Sequence, residues 1–576
     1  MSQNTDKQQN FMVGAFILVL SNIIVKVIGA VFKIPLMAII GEKSYGMFTS
    51  AYNVYSWIFV VATAGLPVAV SKMVAESRAM GRTREVSRIL RVVLSVFSVV
   101  GLAGSLLLFF GAGTFSEAVR NPQAKEAIMA VAPAIFFVCI MATFRGYFQG
   151  QMNMVPTSVS QIIEALCKLI IGLGAAWWLI GAGYSSSIVV AGAISGVTVG
   201  SMLGAVALII IKKRNPVVVP PGAVDHSVSS SGTLLKRFIS IAIPITIGAS
   251  VVNLTALIDN FIVLDRLKAN LGQLLNGIPF DRFYSVVTAA MPKYEAAVSA
   301  VIADPEVISI PTAIDAFSNI LWGAYSGMAL NLFTLPTALI TAISISVLPA
   351  VSSAFVKKDM GSVSNTVESS MRMVAILSLP ISAGFFVLSG QILRLLFSNN
   401  PIGADIAEPL LRSLSVGVIF ICLVSLTNSL LQAAGKVYTP VVNMLVGGVV
   451  KFLANWFLIG NPNINISGTP IGTVLCYGVI TVLNLIAIFK TVKLSTGMFG
   501  IIFKPLVCSV GMGVMVFFAY RSMDLLIGGH IATVLAILVG VAVYFAGLIG
   551  IRYLRREDVL LLPKGDKLVL MLARWL

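Results

Sequence analysis

Apolar residues run through this chain in long blocks divided by short polar stretches. A helix crosses a bilayer with about 20 apolar residues, and fourteen blocks are long enough: 11–40, 47–74, 90–110, 127–149, 157–180, 187–211, 238–264, 321–355, 374–397, 409–431, 439–459, 470–490, 501–519 and 527–551. The pattern predicts an all-α polytopic membrane protein with fourteen transmembrane helices. The eighth block is too long for one simple span, and its start reads as an interfacial helix. The first block reads as a span and not as a signal peptide, because its run of about 30 residues exceeds the 7–15 of a signal core. It also contains Lys26 and Lys33, and no small-x-small cleavage site follows.

The polar stretches set the orientation. With the N-terminus inside, the even-numbered loops hold Arg78, Arg82, Arg84, Arg88 and Arg91, then Lys212, Lys213, Arg214, Lys236 and Arg237. Further on they hold Lys357, Lys358 and Arg372, then Lys436, Lys490 and Lys493. A basic tail follows from Arg552 to Arg574. The odd loops are short, and near neutral or balanced. Cytoplasmic loops carry the Lys/Arg excess, so both termini are expected in the cytoplasm of a bacterial cell.

The halves resemble each other. Leu66-Pro67-Val68-Ala69-Val70-Ser71 ends the second block, and Leu348-Pro349-Ala350-Val351-Ser352 ends the eighth. Gln149 precedes Pro156 and Lys168, as Gln432 precedes Pro440 and Lys451, with nineteen residues from glutamine to lysine in both. Six spans per repeat is even, so the two lobes insert in parallel, an arrangement of alternating-access transporters. The expected organisation is a six-helix lobe at 1–214, a Pro/Ser-rich cytoplasmic linker at 215–237 and a second six-helix lobe at 238–493. An amphipathic extracellular insertion occupies 265–319, the two extra helices 494–551 and a cytoplasmic tail 552–576.

Composition narrows the class. The 576 residues are 57% hydrophobic and 11% charged, with a mean hydropathy of +0.96, where soluble domains carry about 25% charged residues. That excludes disorder, a secreted disulfide scaffold and a soluble enzyme. The net charge of +17 is spread over loops and not gathered on one polar face, which excludes nucleic acid as a partner. Cys139, Cys167, Cys422, Cys476 and Cys508 lie scattered in apolar runs, and with only His226 and His530 they make no metal site. The chain has no Walker, HExxH or G-x-S-x-G sequence. It reads as a transporter and not an enzyme, without cofactor, driven by a coupling cation, the membrane potential or the cargo's own gradient.

Charges inside spans cost a few kcal/mol unless they face a wet cavity or a partner. Lys26 and Lys33 share a face of the first span, about 10.5 Å apart along its axis. With Lys168 and Lys451 they form the candidate cationic site, and an anionic substrate is the inference. Two readings stay open for several positions. Lys33 and Lys72 either serve the cavity or snorkel to headgroups. Glu164 stands four residues before Lys168 in the favoured order for a helical ion pair, so it either neutralises that lysine or couples an ion. Asp259 either pairs with a lysine or binds a coupling cation. Pro67, Pro244, Pro336, Pro349 and Pro380 mark bends.

The segments Gly65–Lys72 (GLPVAVSK), Arg145-Gly146-Tyr147-Phe148-Gln149-Gly150, Met154-Val155-Pro156-Thr157-Ser158 and Leu431-Gln432-Ala433-Ala434-Gly435-Lys436 resemble the stage V sporulation protein B group. That group is part of the polysaccharide-biosynthesis branch of the multidrug/oligosaccharidyl-lipid/polysaccharide (MOP) superfamily and is related to MurJ-type lipid II flippases. The resemblance covers nearly the whole chain. It implies the MOP exporter fold, a polyprenyl-linked lipid as substrate with membrane lipids around it, and a lipid-tail groove built by the last two helices. Cavity arginines of MurJ-type proteins are matched by Lys26 and, with a one-residue shift, Lys33; a second-span arginine has no match near 57–60, and another is replaced by Asn331. Lysine keeps the charge but lacks the planar two-pronged grip on phosphate. Lys451 and Asn455 fall where some superfamily members bind sodium, which puts sodium coupling in doubt.

The readings to separate are a flippase for lipid II, serving the wall or the spore cortex, and a flippase for another polyprenyl-linked glycan. A cation-coupled drug exporter is a third, for which twelve spans and cavity acids are expected. The last is a scaffold of wall synthesis. The flippase is expected to act as a monomer near cell-wall synthesis proteins.

Overall fold

The computed structural model describes residues 2–151, 153–214, 229–356, 358–436, 438–492, 498–551 and 553. The side chains of 2–20, of Lys26 and of most of 244–258 lie outside that description. The described residues form helices and connections, with no strand among them. Nine of these helices are long and apolar enough to span a membrane, or up to twelve when three bent pairs each count as one crossing. Much of the first and seventh predicted spans falls on the undescribed side chains.

The chain divides into two compact units, Met1–Leu264 and Asp265–Leu576. The division falls inside a helix; of the linker expected at 215–237, residues 215–228 lie outside the described residues. Leu234, Phe238 and Ala242 share one apolar core with Leu66, Val70, Ile89, Val138 and Tyr147.

In the first unit α1 (Ser2–Thr63) carries the first two blocks, broken at Gly41 with φ 74° and ψ 172°, a conformation that glycine adopts without a Cβ penalty. The break is followed by α2 (Leu66–Ala79), α3 (Thr83–Phe110), the short α4 (Ala112–Ala118) and α5 (Lys125–Val131). Then come α6 (Ala134–Gly150), α7 (Val155–Gly181), α8 (Ser186–Arg214) and α9 (Ser231–Leu274), which runs past the division. Two close approaches organise the unit. A Cβ on Gly146 would lie 2.7 Å from the Pro67 carbonyl oxygen, and one on Gly150 2.6 Å from that of Ser71. Two of the sequence signatures therefore pack directly on each other as α6 against α2. On α8, Gly192, Gly196, Gly200 and Gly204 recur every fourth residue; a Cβ at Gly196 would meet the Gly172 nitrogen at 2.7 Å, and one at Gly200 the Glu164 oxygen at 2.8 Å. Small residues at such spacing let membrane helices pack backbone to backbone, and α7 is thereby fixed between α8 and α1.

The second unit opens with the insertion. It contains α10 (Phe283–Ala290), α11 (Glu295–Ala303) and α12 (Ile310–Gly323), with a 118° bend between the first two. Polar contacts hold it down: the Arg266 guanidinium lies 3.1 Å from the centre of the Trp456 ring, Lys268 pairs with Asp315 at 2.5 Å, and Asn270 Nδ2 donates to the Ile459 carbonyl at 2.7 Å. The Ser309 and Thr312 hydroxyls form a capping box that starts α12. Its last two turns pack into the protein, with residues 316–323 all buried. It continues through a π-helical turn (Ala324–Ala329) into α13 (Leu330–Thr334) and α14 (Pro336–Val356).

The remaining helices are α15 (Met360–Leu396), α16 (Pro401–Ser415), α17 (Val418–Ala433), α18 (Tyr438–Ile459), α19 (Gly468–Phe489), α20 (Met498–Ile527) and α21 (Gly529–Gly550). Arg372, expected in a loop, is 3% exposed within α15, beside the equally buried Glu368 at 4.0 Å. Each unit repeats one internal arrangement. In the first, α2 and α3 pack on α6, and α7 on α8; in the second, α14 and α15 pack on α17, and α18 on α19. The corresponding fourth and tenth blocks are both bent, by 42° and 54°. The two extra helices, α20 and α21, pack on each other and on α15.

Candidate substrate site

In the first unit α1 and α7 bring two of the predicted lysines together. Both Lys33 and Lys168 are half-buried, and Lys168 reaches over the ring of Phe32, the residue before Lys33. Lys168 Nζ stands 4.9 Å from the centre of the Phe32 ring and 4.5 Å from that of Tyr52. Aromatic faces attract a cation by about 0.5–2 kcal/mol, depending on desolvation, and here they fix the ammonium without cancelling its charge. The rings belong to a row along α1, in which Phe48 contacts Phe32 at 6.0 Å and stacks on Tyr52 at 6.0 Å, and Tyr52 contacts Tyr55 at 5.9 Å.

Glu164 does not neutralise Lys168. Its Oε2 accepts from Arg145 Nη2 at 2.9 Å, and Arg145 Nε donates to Ser160 Oγ at 2.9 Å. The tertiary neighbour on α6 wins over the local i,i+4 partner because a guanidinium offers several donors in a fixed fork. No described carboxylate forms an ion pair with Lys33 or Lys168. The two ammonium groups therefore remain available to an anion.

The other predicted residues are placed separately. Lys26 is on α1, seven positions before Lys33, and its side chain lies outside the described residues. Lys72 is exposed. Asp259, on α9, is 4% exposed; the neighbouring Asn260 accepts from Ser50 Oγ at 3.1 Å, and Asn121 Nδ2 donates to the same hydroxyl at 3.0 Å. In the second unit Lys451 is half-buried on α18, and Asn455 is buried one turn later against Gly472 of α19. Asn331 is buried and donates to the Gly327 carbonyl of the π-helical turn at 2.6 Å.

Arg145, Tyr52 and the buried carboxylates Glu85 and Glu368 escaped the sequence reading. Glu85 and Glu368 had a signal: they are 283 residues apart, as are Gln149 and Gln432, and Lys168 and Lys451. Arg145 had none beyond its place in a signature, since only the folded chain sets it against Glu164.

The second unit also contains an apolar cavity of about 470 Å³ between α15, α20 and α21, lined by Ile376, Pro380, Phe385, Met512, Val516 and Ile537 among others. Pro380 lies inside α15, and the Tyr544 hydroxyl donates to the Ile376 carbonyl at 2.9 Å, which ties α21 to α15 at the cavity wall.

The helices and the duplicated arrangement define a multi-pass membrane transporter. Residues 11–302 match the family model described as polysaccharide biosynthesis protein, and residues 312–483 match the one described as lipid II flippase MurJ. The first match covers just over half of the chain, which belongs to the polysaccharide biosynthesis protein family. Stage V sporulation protein B of Bacillus subtilis (strain 168) is 23% identical over 490 residues, 85% of each chain. Lipid II flippase MurJ of the same organism is 24% identical over 456 residues, 77% of this chain and 76% of that one. A solved structure of lipid II flippase MurJ in an inward closed conformation superposes with a TM-score of 0.63 at 14% identity, covering 93% of this chain and 97% of the other. An inward-facing MATE family multidrug resistance transporter of the MOP superfamily gives 0.57 at 12% identity, over 83% and 97%. Both structural likenesses establish a shared MOP fold.

Proposed function

We propose that this transporter flips an undecaprenyl-pyrophosphate-linked cell-wall precursor, lipid II, from the inner to the outer leaflet of the bacterial cell membrane. The observation that carries the reading is the Lys33–Lys168 pair, two like charges held together without a carboxylate. A diphosphate between them relieves their repulsion, and partial removal from water strengthens the attraction over its bulk value. The rings of Phe32 and Tyr52 keep Lys168 in place while the site is empty. Lys26 adds a third ammonium on the same helix, and Lys451 a fourth in the second unit. The apolar cavity beside α20 and α21 suits a prenyl chain, which has no hydrogen bonds to satisfy.

In this mechanism the cationic site is exposed to one leaflet and then the other. The cargo's diphosphate is bound on the inner side and released on the outer, while the tail stays in apolar surroundings. The membrane potential or a coupling cation supplies the drive, with Asp259 and Glu164 as candidate ion-handling acids and Asn455 as a neutral ligand. Both termini are cytoplasmic, and the protein works as a monomer alongside cell-wall synthesis proteins. The names of two relatives, a lipid II flippase and a sporulation protein, support this cargo.

A flippase for a different polyprenyl-linked polysaccharide unit is the second reading, favoured by the family description that matches 11–302. Depleting a bacterium of its own lipid II flippase and expressing this chain separates the two. Restored lipid II at the outer surface is the expected result; well-expressed protein that restores none removes the first reading and leaves the second. In the same assay Lys26→Ala is expected to abolish flipping with folded protein retained, and near-normal flipping would remove Lys26 from the site.

A further inference from the structure

The predicted cytoplasmic end of the first unit has a second cationic feature, apart from the lysine site. A cleft of about 900 Å³ opens between the start of α3 and the first turn of α9. It is lined by Arg84, Arg88 and Arg91 and by the hydroxyl-bearing Ser87, Ser95 and Ser231, and none of its described lining residues is a carboxylate; Glu85, on the same turn of α3, is buried and accepts from Ser77 and Ser229. Arg88 Nη2 reaches Ser231 Oγ at 3.4 Å, so this guanidinium is held across the cleft. The first turn of α9 adds the positive end of a helix dipole.

The character of the α3 surface changes along one stripe. At helical spacing of three or four residues it reads Arg84, Arg88, Arg91, Ser95, Val99, Leu102, Leu106, Phe110. Val92 and Val96 also line the cleft, and Val99, Leu102, Leu106 and Phe110 are 68%, 49%, 46% and 80% exposed. From Val99 to Phe110 the helix rises about 16 Å at 1.5 Å per residue, roughly half of a hydrocarbon core of about 30 Å. Arginines that merely anchor a span need no concave pocket and no hydroxyls from a second helix. A soluble polyphosphate would have no use for the apolar run below it.

The geometry points to a binding site for an anionic phospholipid of the inner leaflet, its phosphate in the Arg84–Arg88–Arg91 cleft and one acyl chain along the Val99–Phe110 stripe. Basic pockets at the cytoplasmic ends of membrane helices bind such headgroups. The site stands on the cleft and not on the identity of the cargo.

The test uses the full-length protein in nanodiscs of phosphatidylcholine doped with phosphatidylglycerol that carries a photoreactive group on its acyl chain. Crosslinks are mapped by peptide mass spectrometry. They are expected on residues 92–110 of α3. R84Q/R88Q/R91Q should lower them at least tenfold, while R552Q/R555Q/R556Q, an equal loss of charge in the tail, should leave them unchanged. Unlabelled phosphatidylglycerol should compete; phosphatidylcholine and inorganic diphosphate should not. Two further variants hold if the glutamine triple fails to fold: Ser95→Trp should block labelling by filling the cleft, and R84K/R88K/R91K should keep most of it. No labelling on α3, or an equal fall in the tail variant, overturns the proposal. So does displacement by inorganic diphosphate, which indicates a soluble ligand, or preferential displacement by a polyprenyl diphosphate, which gives the cleft to the cargo.

Discussion

Lys168 owes its place to two ring contacts. Phe32 and Tyr52 offer their faces to its ammonium, while Arg145 occupies the glutamate one turn before it. Removing the charge with Lys168→Gln should reduce flipping by on the order of 10- to 100-fold, the range of a lost charged contact worth about 1.5–3 kcal/mol. Lys168→Arg should retain part of the rate, and flipping assayed in proteoliposomes checks both. Glu164→Gln acts differently, because it leaves Arg145 without its anion. A drop of a few degrees in thermal midpoint is expected, with some of it recovered in Glu164→Gln combined with Arg145→Gln. Lys33 and Lys168 were legible in the sequence because a lysine in an apolar run demands an explanation. The partner of Glu164 was not, because i,i+4 spacing describes one helix and its strongest neighbour belongs to another.

At the level of helices, apolar length made the all-α membrane class legible, since hydrocarbon thickness constrains each span separately. Their interruptions were harder to read. The eighth block reads as one over-long stretch, and the chain breaks it with the buried end of α12 and a π-helical turn before α14. The cause is tertiary: Tyr325 in that turn bonds Thr473 of α19 at 3.0 Å, a partner invisible to local pattern. The Gly146–Pro67 contact gives a test of the signatures as packing motifs. Gly146→Leu should cost several kcal/mol by overpacking and lower the yield of folded protein, read by fluorescence-detected gel filtration. An equal substitution at Gly113, around which a Cβ would meet nothing within 4 Å, should be tolerated.

For the molecule as a whole, duplication was readable from paired motifs and reappears as the same packing inside each unit. The place of Phe238 in the core of the first unit was not readable, because Pro/Ser content marks a flexible stretch and says nothing about where the residues after it pack. The apolar cavity beside α15 also had no local signature, because α15 meets the α20–α21 pair across more than a hundred residues of sequence. If it accommodates the prenyl tail, Gly384→Trp at its lining should slow transport of a long-chain substrate several-fold. A short-chain analogue should be nearly unaffected, and transport measured with both lipids separates tail exclusion from general damage.

The glycine row of α8 has a mechanical consequence. At Gly196 and Gly200 the α8 backbone sits directly on that of α7 with no side chain between them, so α7 has no room to roll or slip against α8 at those turns. Lys168 must then travel with the pair as one spar, and spin labels placed on the outward faces of those two helices would keep a constant separation through every stage of the transport cycle.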